Sequence, residues 1–161
     1  MEMAITFKGL DLTEQHITKF NASMHEGMPE TMAEIGEELG KYYSGQAFVS
    51  QGAVYGKPWA PLADSTVAEK SKNWPGRPPL VRTGDLQNGF KYEATLVSVH
   101  VSNKVQVSGK GGTYNLLELQ QGGTSRGIPP RLVMALNDTL KTEIVKKIVA
   151  GITLKIVETR P

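Results

Sequence analysis

Apolar residues recur along this chain in two rhythms, and the order of those rhythms sets out the expected elements. Met3, Ile5 and Phe7 alternate with Ala4 and Thr6, a short strand. Asp11-Leu-Thr-Glu14 has the spacing of a capping box, and Ile17, Phe20 and Met24 follow at helical intervals. Gly27 predicts the end of that helix, and Pro29 suits the first turn of a second. In the second helix Met32, Ile35, Leu39 and Tyr42 form one stripe, with Glu30, Glu34, Glu37 and Glu38 mostly off it. Gly36 and Gly40 sit beside the stripe. Each costs helix stability, so close approach of another backbone is the expected benefit.

Residues 44–58 interleave glycines with Phe48, Val49, Val54 and Tyr55, which reads as a mobile loop or arm with adhesive side chains. Gly56 to Leu86 follows. It holds both tryptophans and most of the prolines, and has no long period. Disordered linkers are poor in aromatics, and proline lowers the entropy of the unfolded chain. An ordered excursion that docks, on its own domain or on a neighbour, is expected. Within it Asp64 or Ser65 can cap a short helix to about Lys72. Pro75 to Pro79 must be extended or turned, and Thr83-Gly-Asp-Leu86 reads as a turn into a short helical segment.

The clearest strand signal comes next. Val97, Val99 and Val101 alternate with polar residues, as do Val105 and Val107. Register favours a hairpin with a three-residue loop, Ser102 to Lys104, pairing Val101 with Val105 and placing Asn103 or Lys104 in a left-handed conformation. Tyr92, Ala94 and Leu96 alternate in the opposite phase, which implies a bulge or turn near Leu96. Gly109 to Gly112 read as a flexible joint. Tyr114 to Gln121 read as a short helix stopped by Gly122-Gly123. Ile128-Pro-Pro-Arg131 is an extended turn. Asn137 or Asp138 caps a last helix with Leu140, Ile144 and Ile148 on one face and Lys141, Lys146 and Lys147 largely off it. Ile152, Leu154 and Ile156 after Gly151 suggest a final strand. The expected class is α+β: an antiparallel meander or hairpin packed with two or three longer helices, with a long ordered Pro/Trp-rich loop. One domain covers residues 1–161, with 44–86 a loop-rich arm and 152–161 a terminal strand or tail.

Composition narrows the function classes. At 161 residues, 39% hydrophobic and 21% charged, the chain suits a folded single domain. No apolar run approaches the ~20 residues of a membrane helix, so no membrane partner is expected, and the N-terminus lacks a signal-peptide pattern. The absence of cysteine removes disulfides and thiolate chemistry. Charge is polarised: residues 1–56 carry three Lys/Arg and eight Asp/Glu (−5), residues 57–82 five and two (+3), and residues 83–161 ten and six (+4), summing to the overall +2. Such a molecule can set its acidic part against the basic part of a neighbour.

Candidate chemistry is sparse. His16, His25 and His100 lack metal-pair spacing, and no nucleophile elbow is present. Lys110-Gly-Gly-Thr113 lies between a strand and a helix but lacks the phosphate-loop pattern. No catalytic, cofactor or metal residue is expected, and a small hydrolase has no constellation to rest on.

Gly56-Lys-Pro-Trp59-Ala-Pro-Leu62, Ser65-Thr66, Lys70 and Leu80-Val-Arg-Thr83-Gly-Asp-Leu86 together resemble the series G-x-x-W-x-P-L-x-x-S-T…K…L-x-x-T-G-x-L. Tyr114 through Gln120-Gln-Gly-Gly123, then Ile128-Pro-Pro-Arg131, resembles Y-A…H-Q-x-G-G…I-P-A-R-P-F. Both belong to the virion-morphogenesis (tail-completion) proteins of contractile-tailed bacteriophages and prophages. The resemblance covers roughly residues 29–150. Leu119 replaces the family's histidine, and Leu132-Val133 its Pro-Phe, which suggests a different packing partner before the last helix.

What the resemblance implies is a structural protein, not an enzyme. It implies a virion component, assembled in the bacterial cytoplasm, that forms a homo-oligomeric ring at the head–tail junction. Six is the expected number of copies. DNA passes through the ring, and other neck, connector, tail-terminator or tail-tube proteins contact it. The expected docking anchors are Trp59, Pro61, Leu62, Leu80 and Leu86, the turn Thr83-Gly84-Asp85, Gln120, and Arg131 pinning the Ile-Pro-Pro turn to a carboxylate or to carbonyls. Internal loop packing is the plainer reading of the same residues. The alternative function is a small nucleic-acid-binding module using Lys57, Lys70, Lys72, Trp74, Arg77 and Arg82, which a steep salt dependence would favour.

Overall fold

The computed structural model describes residues 10–109, 111–125 and 127–158. Helix α1 runs unbroken from Leu10 to Ser44, followed by the short α2 (Gln46–Val49) and a 3-10 turn at Ala53–Tyr55. Helices α3 (Asp64–Asn73) and α4 (Asp85–Asn88) precede strands β1 (Phe90–Ala94), β2 (Val99–Asn103), β3 (Gln106–Gly109) and β4 (Gly112–Asn115). Helix α5 (Leu116–Gly122) and the long α6 (Asp138–Glu158) close the chain. The class is α+β, as the two rhythms predict. The expected strand at Met3–Phe7 lies outside the described residues.

Three expected boundaries fall elsewhere. Helix α1 passes through Gly27 and Pro29 without a break, and is already formed at Leu10, so Asp11 is not its cap. An internal proline costs a helix about 3 kcal/mol. Pro29 is exposed, so the carbonyl it leaves unpaired can reach water. Met28, Met32, Ile35, Leu39 and Tyr43 beside it are all buried, and their burial outweighs that cost. Likewise α6 runs through Gly151 to Glu158, where a final strand was expected. A Cβ on Gly151 would lie 2.7 Å from Thr31 Oγ1, so the missing side chain lets α6 lie close to α1. Ile152 then packs beside Ile148 and Ile144 in the same cluster. Asn137 caps α6 as expected, its Oδ1 accepting from Leu140 N at 2.9 Å.

The valine hairpin is the third correction. β2 pairs with β1, not with β3: Tyr92 faces Val101 and Ala94 faces Val99. Even positions of β1 thus meet odd positions of β2, which is why the two phases differ. The reversal lies at Thr95–Ser98, beside Leu96 as expected, with Thr95 N donating to Ser98 O at 2.8 Å. Val97 sits in this turn, 81% exposed. β3 pairs with β4 in a separate hairpin, Val107 opposite Tyr114 and Gly109 opposite Gly112. Gly109 to Gly112 are therefore the end of a hairpin rather than a joint, although Lys110 itself lies outside the described residues. Tyr114 and Asn115 belong to β4, so α5 starts later than expected, with Asn115 as its cap. Neither Asn103 nor Lys104 is left-handed. Asn103 is buried, its Nδ2 donating to Leu86 O at 2.7 Å and its Oδ1 accepting from Val105 N at 3.2 Å. It turns the chain from one small sheet into the other.

Among the described residues two clusters form the core. In one, the α1 stripe packs on α6 and on the inner face of the β1–β2 hairpin. Gly36 makes this contact possible, but what approaches it is the ring of Tyr92, not a backbone; a Cβ on Gly40 would meet nothing within 4 Å among the described residues. In the other, Ala47, Phe48, Trp59, Val81, Leu86, Leu117 and Val133 gather helix ends and connecting segments. Phe90 and Met134 touch both.

Candidate docking surface

The Pro/Trp-rich stretch is not one long loop. α3 and α4 divide it, and its remaining segments are fastened by side chains that donate to main-chain carbonyls. The stretch before it is no mobile arm either: Ala47 and Phe48 of α2 are fully packed. Residue Trp59 shows the pattern. Its ring lies edge-on to Phe48, centroids 5.4 Å apart, and flush against Gly52, whose positive φ of 83° and absent Cβ make room. Its N donates to Gln51 O and its Nε1 to Leu132 O, both at 2.7 Å.

Arg131 is the second fastening, and only 5% exposed. Its Nε donates to Ala60 O and its Nη2 to Pro61 O, each at 3.0 Å, while its own N donates to Gln120 O at 2.7 Å. One arginine therefore ties three segments together: 59–61, α5, and the Ile128-Pro-Pro turn. Carbonyls, not a carboxylate, are its partners. Burial lowers its pKa from the ordinary arginine value.

Lys70 is the third. Buried on α3, its Nζ donates to Pro78 O at 3.0 Å and to Val81 O at 2.5 Å. Burial, then the nearby Arg82 and Arg77 charges, lowers its pKa. These bonds bracket Leu80, which sits at φ +62°, a conformation rare for a non-glycine residue. The turn after it is the expected one. Gly84, at φ +99°, precedes α4, and Thr83 Oγ1 donates to Asp85 Oδ2 at 2.5 Å.

The expected anchors thus separate into two kinds. Trp59, Gly84, Leu86 and Arg131 are buried braces. Leu62, Leu80 and Gln120 are half-buried and Pro61, Thr83 and Asp85 are exposed. All of the half-buried ones, with Thr83, Asp85, Leu86 and Arg131, line an open groove of about 660 Å³ between the Pro/Trp stretch and the β3–α5 segment. Trp74, Val107, Leu119 and Ile128 also border it. Arg82 stacks over Trp74 at 5.1 Å and pairs with Glu69 at 3.3 Å. Gln120 Oε1 is buried and has no hydrogen-bond partner among the described residues.

Sequence reasoning missed Tyr55, whose hydroxyl donates to Val133 O at 2.9 Å, and Val133, which is fully buried. The signal was present: Leu132-Val133 replaces a Pro-Phe pair, and Val133 supplies the buried apolar group at that place. Lys70 was assigned to a nucleic-acid face, where its buried ammonium is not available.

The sequence profile of the Phage virion morphogenesis family matches residues 11–152. The chain belongs to that family. Searches of curated proteins and of solved structures each gave no significant match. As a member, the chain is a phage assembly protein associated with the virion. Among the described residues no helix is long and apolar enough to cross a membrane, and no group of three or more His, Asp or Glu could hold a metal ion.

Proposed function

We propose that this family member is a tail-completion or neck component. It forms a ring at the head–tail junction, through which DNA passes, and works by shape rather than by chemistry. It needs no cofactor. Its partners are further copies of itself and the adjoining connector, tail-terminator or tube proteins.

The observation that carries this reading is the use to which the strongest donors in the groove wall and in the core behind it are put. Arg131, Lys70 and the Trp59 indole donate to the protein's own carbonyls. An active site would point such groups at a substrate; here they stiffen a wall. Stiff, largely apolar concave surfaces with a polar rim suit protein docking at low entropic cost. The nucleic-acid alternative loses Lys70 to this bracing, leaving Lys57, Lys72, Arg77 and Arg82 exposed.

The test is deletion of the gene from the phage or prophage that carries it, followed by electron microscopy of the lysate. Full heads and tails that fail to join, restored by the gene in trans, are expected. Normal infectious particles would overturn the assignment.

A further inference from the structure

Strand β3 has one partner and one bare edge. β4 pairs along one side of it, and among the described residues no strand lies along the other. Leu116 N donates to Val105 O at 2.8 Å, and in an antiparallel ladder such bonds fall on alternate residues. Val105, Val107 and Gly109 therefore turn their main-chain groups to β4, and Gln106 and Ser108 turn theirs outward. Both outward residues are exposed, and among the described residues nothing pairs with their N–H and C=O groups. Such an edge is a template for another extended chain.

This edge borders the groove. Val105 to Ser108 line it together with Leu62, Leu80, Leu119 and Ile128, and no residue of β1, β2 or β4 does so. Gln120 Oε1, buried in the same lining without a partner, is an acceptor that calls for a donor from outside. A helix has no free main-chain groups along its length to offer. A strand can bond to Gln106 and Ser108 and set alternate side chains among the leucines.

We propose that the groove receives residues 3–7 of a second copy of this chain, added as a strand along β3. The inference rests on the ring reading above. Met3, Ile5 and Phe7 alternate with Ala4 and Thr6, the pattern of a strand with one apolar face. The strands of the described residues already pair with one another in two hairpins. Where the segment attaches decides whose groove it fills. It precedes α1, and the seven steps from Met3 to Leu10 reach at most ~25 Å. Helix α1, at 1.5 Å per residue, is ~50 Å long. The groove lies by its far end: Gln87 Nε2 donates to Ser44 O at 2.8 Å, and the adjoining Asp85 and Leu86 line the groove. A copy's own segment therefore falls short of its own groove. Donor segment and receiving groove sit at opposite ends of the subunit, so the contact is head-to-tail and repeats around a ring.

The chain has no cysteine, so engineered pairs report the contact without background. With Met3, Ile5 and Phe7 turned into the groove, Ala4 and Thr6 share the outer face with the exposed Gln106. Ala4→Cys/Gln106→Cys and Thr6→Cys/Gln106→Cys cover the two registers. Each is oxidised mildly, as purified full-length protein at high concentration and in assembled particles. A ladder reaching beyond dimer is expected from one of the pairs, with little product from any single variant. A cross-link within one chain, or a ladder that stops at dimers, would overturn the head-to-tail contact. Dimers from Ala4→Cys or Thr6→Cys alone, in the yield of the pairs, would overturn it in favour of segment on segment. A ring seen by native mass spectrometry that gives no cross-link would overturn the contact and leave the ring reading standing. A protein monomeric in both settings would overturn both. In a second arm, Ser108→Pro in the cross-linking pair removes one outward N–H and spares the β4 ladder, as edge strands tolerate. It should abolish the ladder and leave the melting temperature of the monomer unchanged. Ile5→Asp/Phe7→Asp, which alters no residue of the described core, should do the same. A ladder that persists with either change would contradict the proposal.

Discussion

The two clusters of the core are built on opposite principles. Around α1 and α6, side chains repeat at helical intervals and each covers its neighbour's, so packing alone aligns the elements. Around Trp59, Phe48 and Val133, short helices and irregular segments converge without a period. Their main-chain carbonyls cannot all pair within regular structure, so long polar side chains reach across and donate to them. A buried carbonyl left unmatched costs about 1–3 kcal/mol, so each of these donors matters more than its own apolar contacts suggest. The lesson is that the second kind of core is held by a few fastenings, the first by many interchangeable contacts.

That difference can be broken at its strongest point first. Trp59→Ala should cost about 3–5 kcal/mol, because it empties the space beside Phe48 and Gly52 and orphans Leu132 O. Urea unfolding followed by circular dichroism measures it, and a loss under about 1 kcal/mol would mean the indole is not a fastening. Arg131→Met keeps much of the stem's volume but leaves Ala60 O and Pro61 O unmatched, and should cost about 2–4 kcal/mol. Arg131→Lys should recover little of this, since two carbonyls 3.0 Å from Nε and Nη2 need the planar fork. Equal stability of the lysine and arginine forms would show that charge, not geometry, does the fastening.

The helical cluster should answer more mildly. Gly151→Ala sets a Cβ against Thr31 Oγ1 and should cost about 1 kcal/mol despite the better helix propensity of alanine. With Thr31→Ala already present, the same change should stabilise by roughly 0.5–1 kcal/mol. Additive effects in this double-mutant cycle would show that the two helices are not in contact there. The smallest effect at neutral pH belongs to Tyr43→Phe, expected within about 0.5 kcal/mol of wild type. Burial, with a contribution from Tyr42, pushes the Tyr43 phenol up to about 12 from 10.0. Between those values the unfolded chain gives up the proton while the folded one keeps it. The stability this contributes is therefore complete below pH 10 and is lost as pH rises to about 12. Burial raises Tyr55 in the same direction. The phenylalanine variant should lose less stability than wild type over that window, and identical alkaline unfolding would contradict the assignment to Tyr43.

Legibility follows the same division. The α1 stripe, the cap at Asn137 and the inner face of α6 were readable because periodicity reports burial directly. The joining of two expected helices into α1 was not, because Pro29 marks a break only when no packed face on either side outweighs it. The valines at 97–107 misled for a related reason. Val99 and Val101 match Tyr92 and Ala94 as well as they match Val105 and Val107, and what decides is the buried Asn103, whose role depends on Leu86, 17 residues away. In the candidate site Trp59, Gly84 and Arg131 stood out by type and motif, and Arg131 was expected to grip carbonyls or a carboxylate. Lys70 stood out only as a motif residue and a nucleic-acid candidate, and Tyr55 only as an adhesive side chain; their roles as donors were not legible, since a donor aimed at a distant carbonyl leaves no local pattern in the sequence.

As proposed, a chain braced in this way serves as one subunit of a ring at the head–tail junction. Cryo-electron microscopy of the intact particle tests it most directly. The expected result is a ring between head and tail in which each subunit's α1–α6 pair is recognisable by its length. A particle whose junction is built entirely of other chains, with this one absent or located elsewhere, would contradict it.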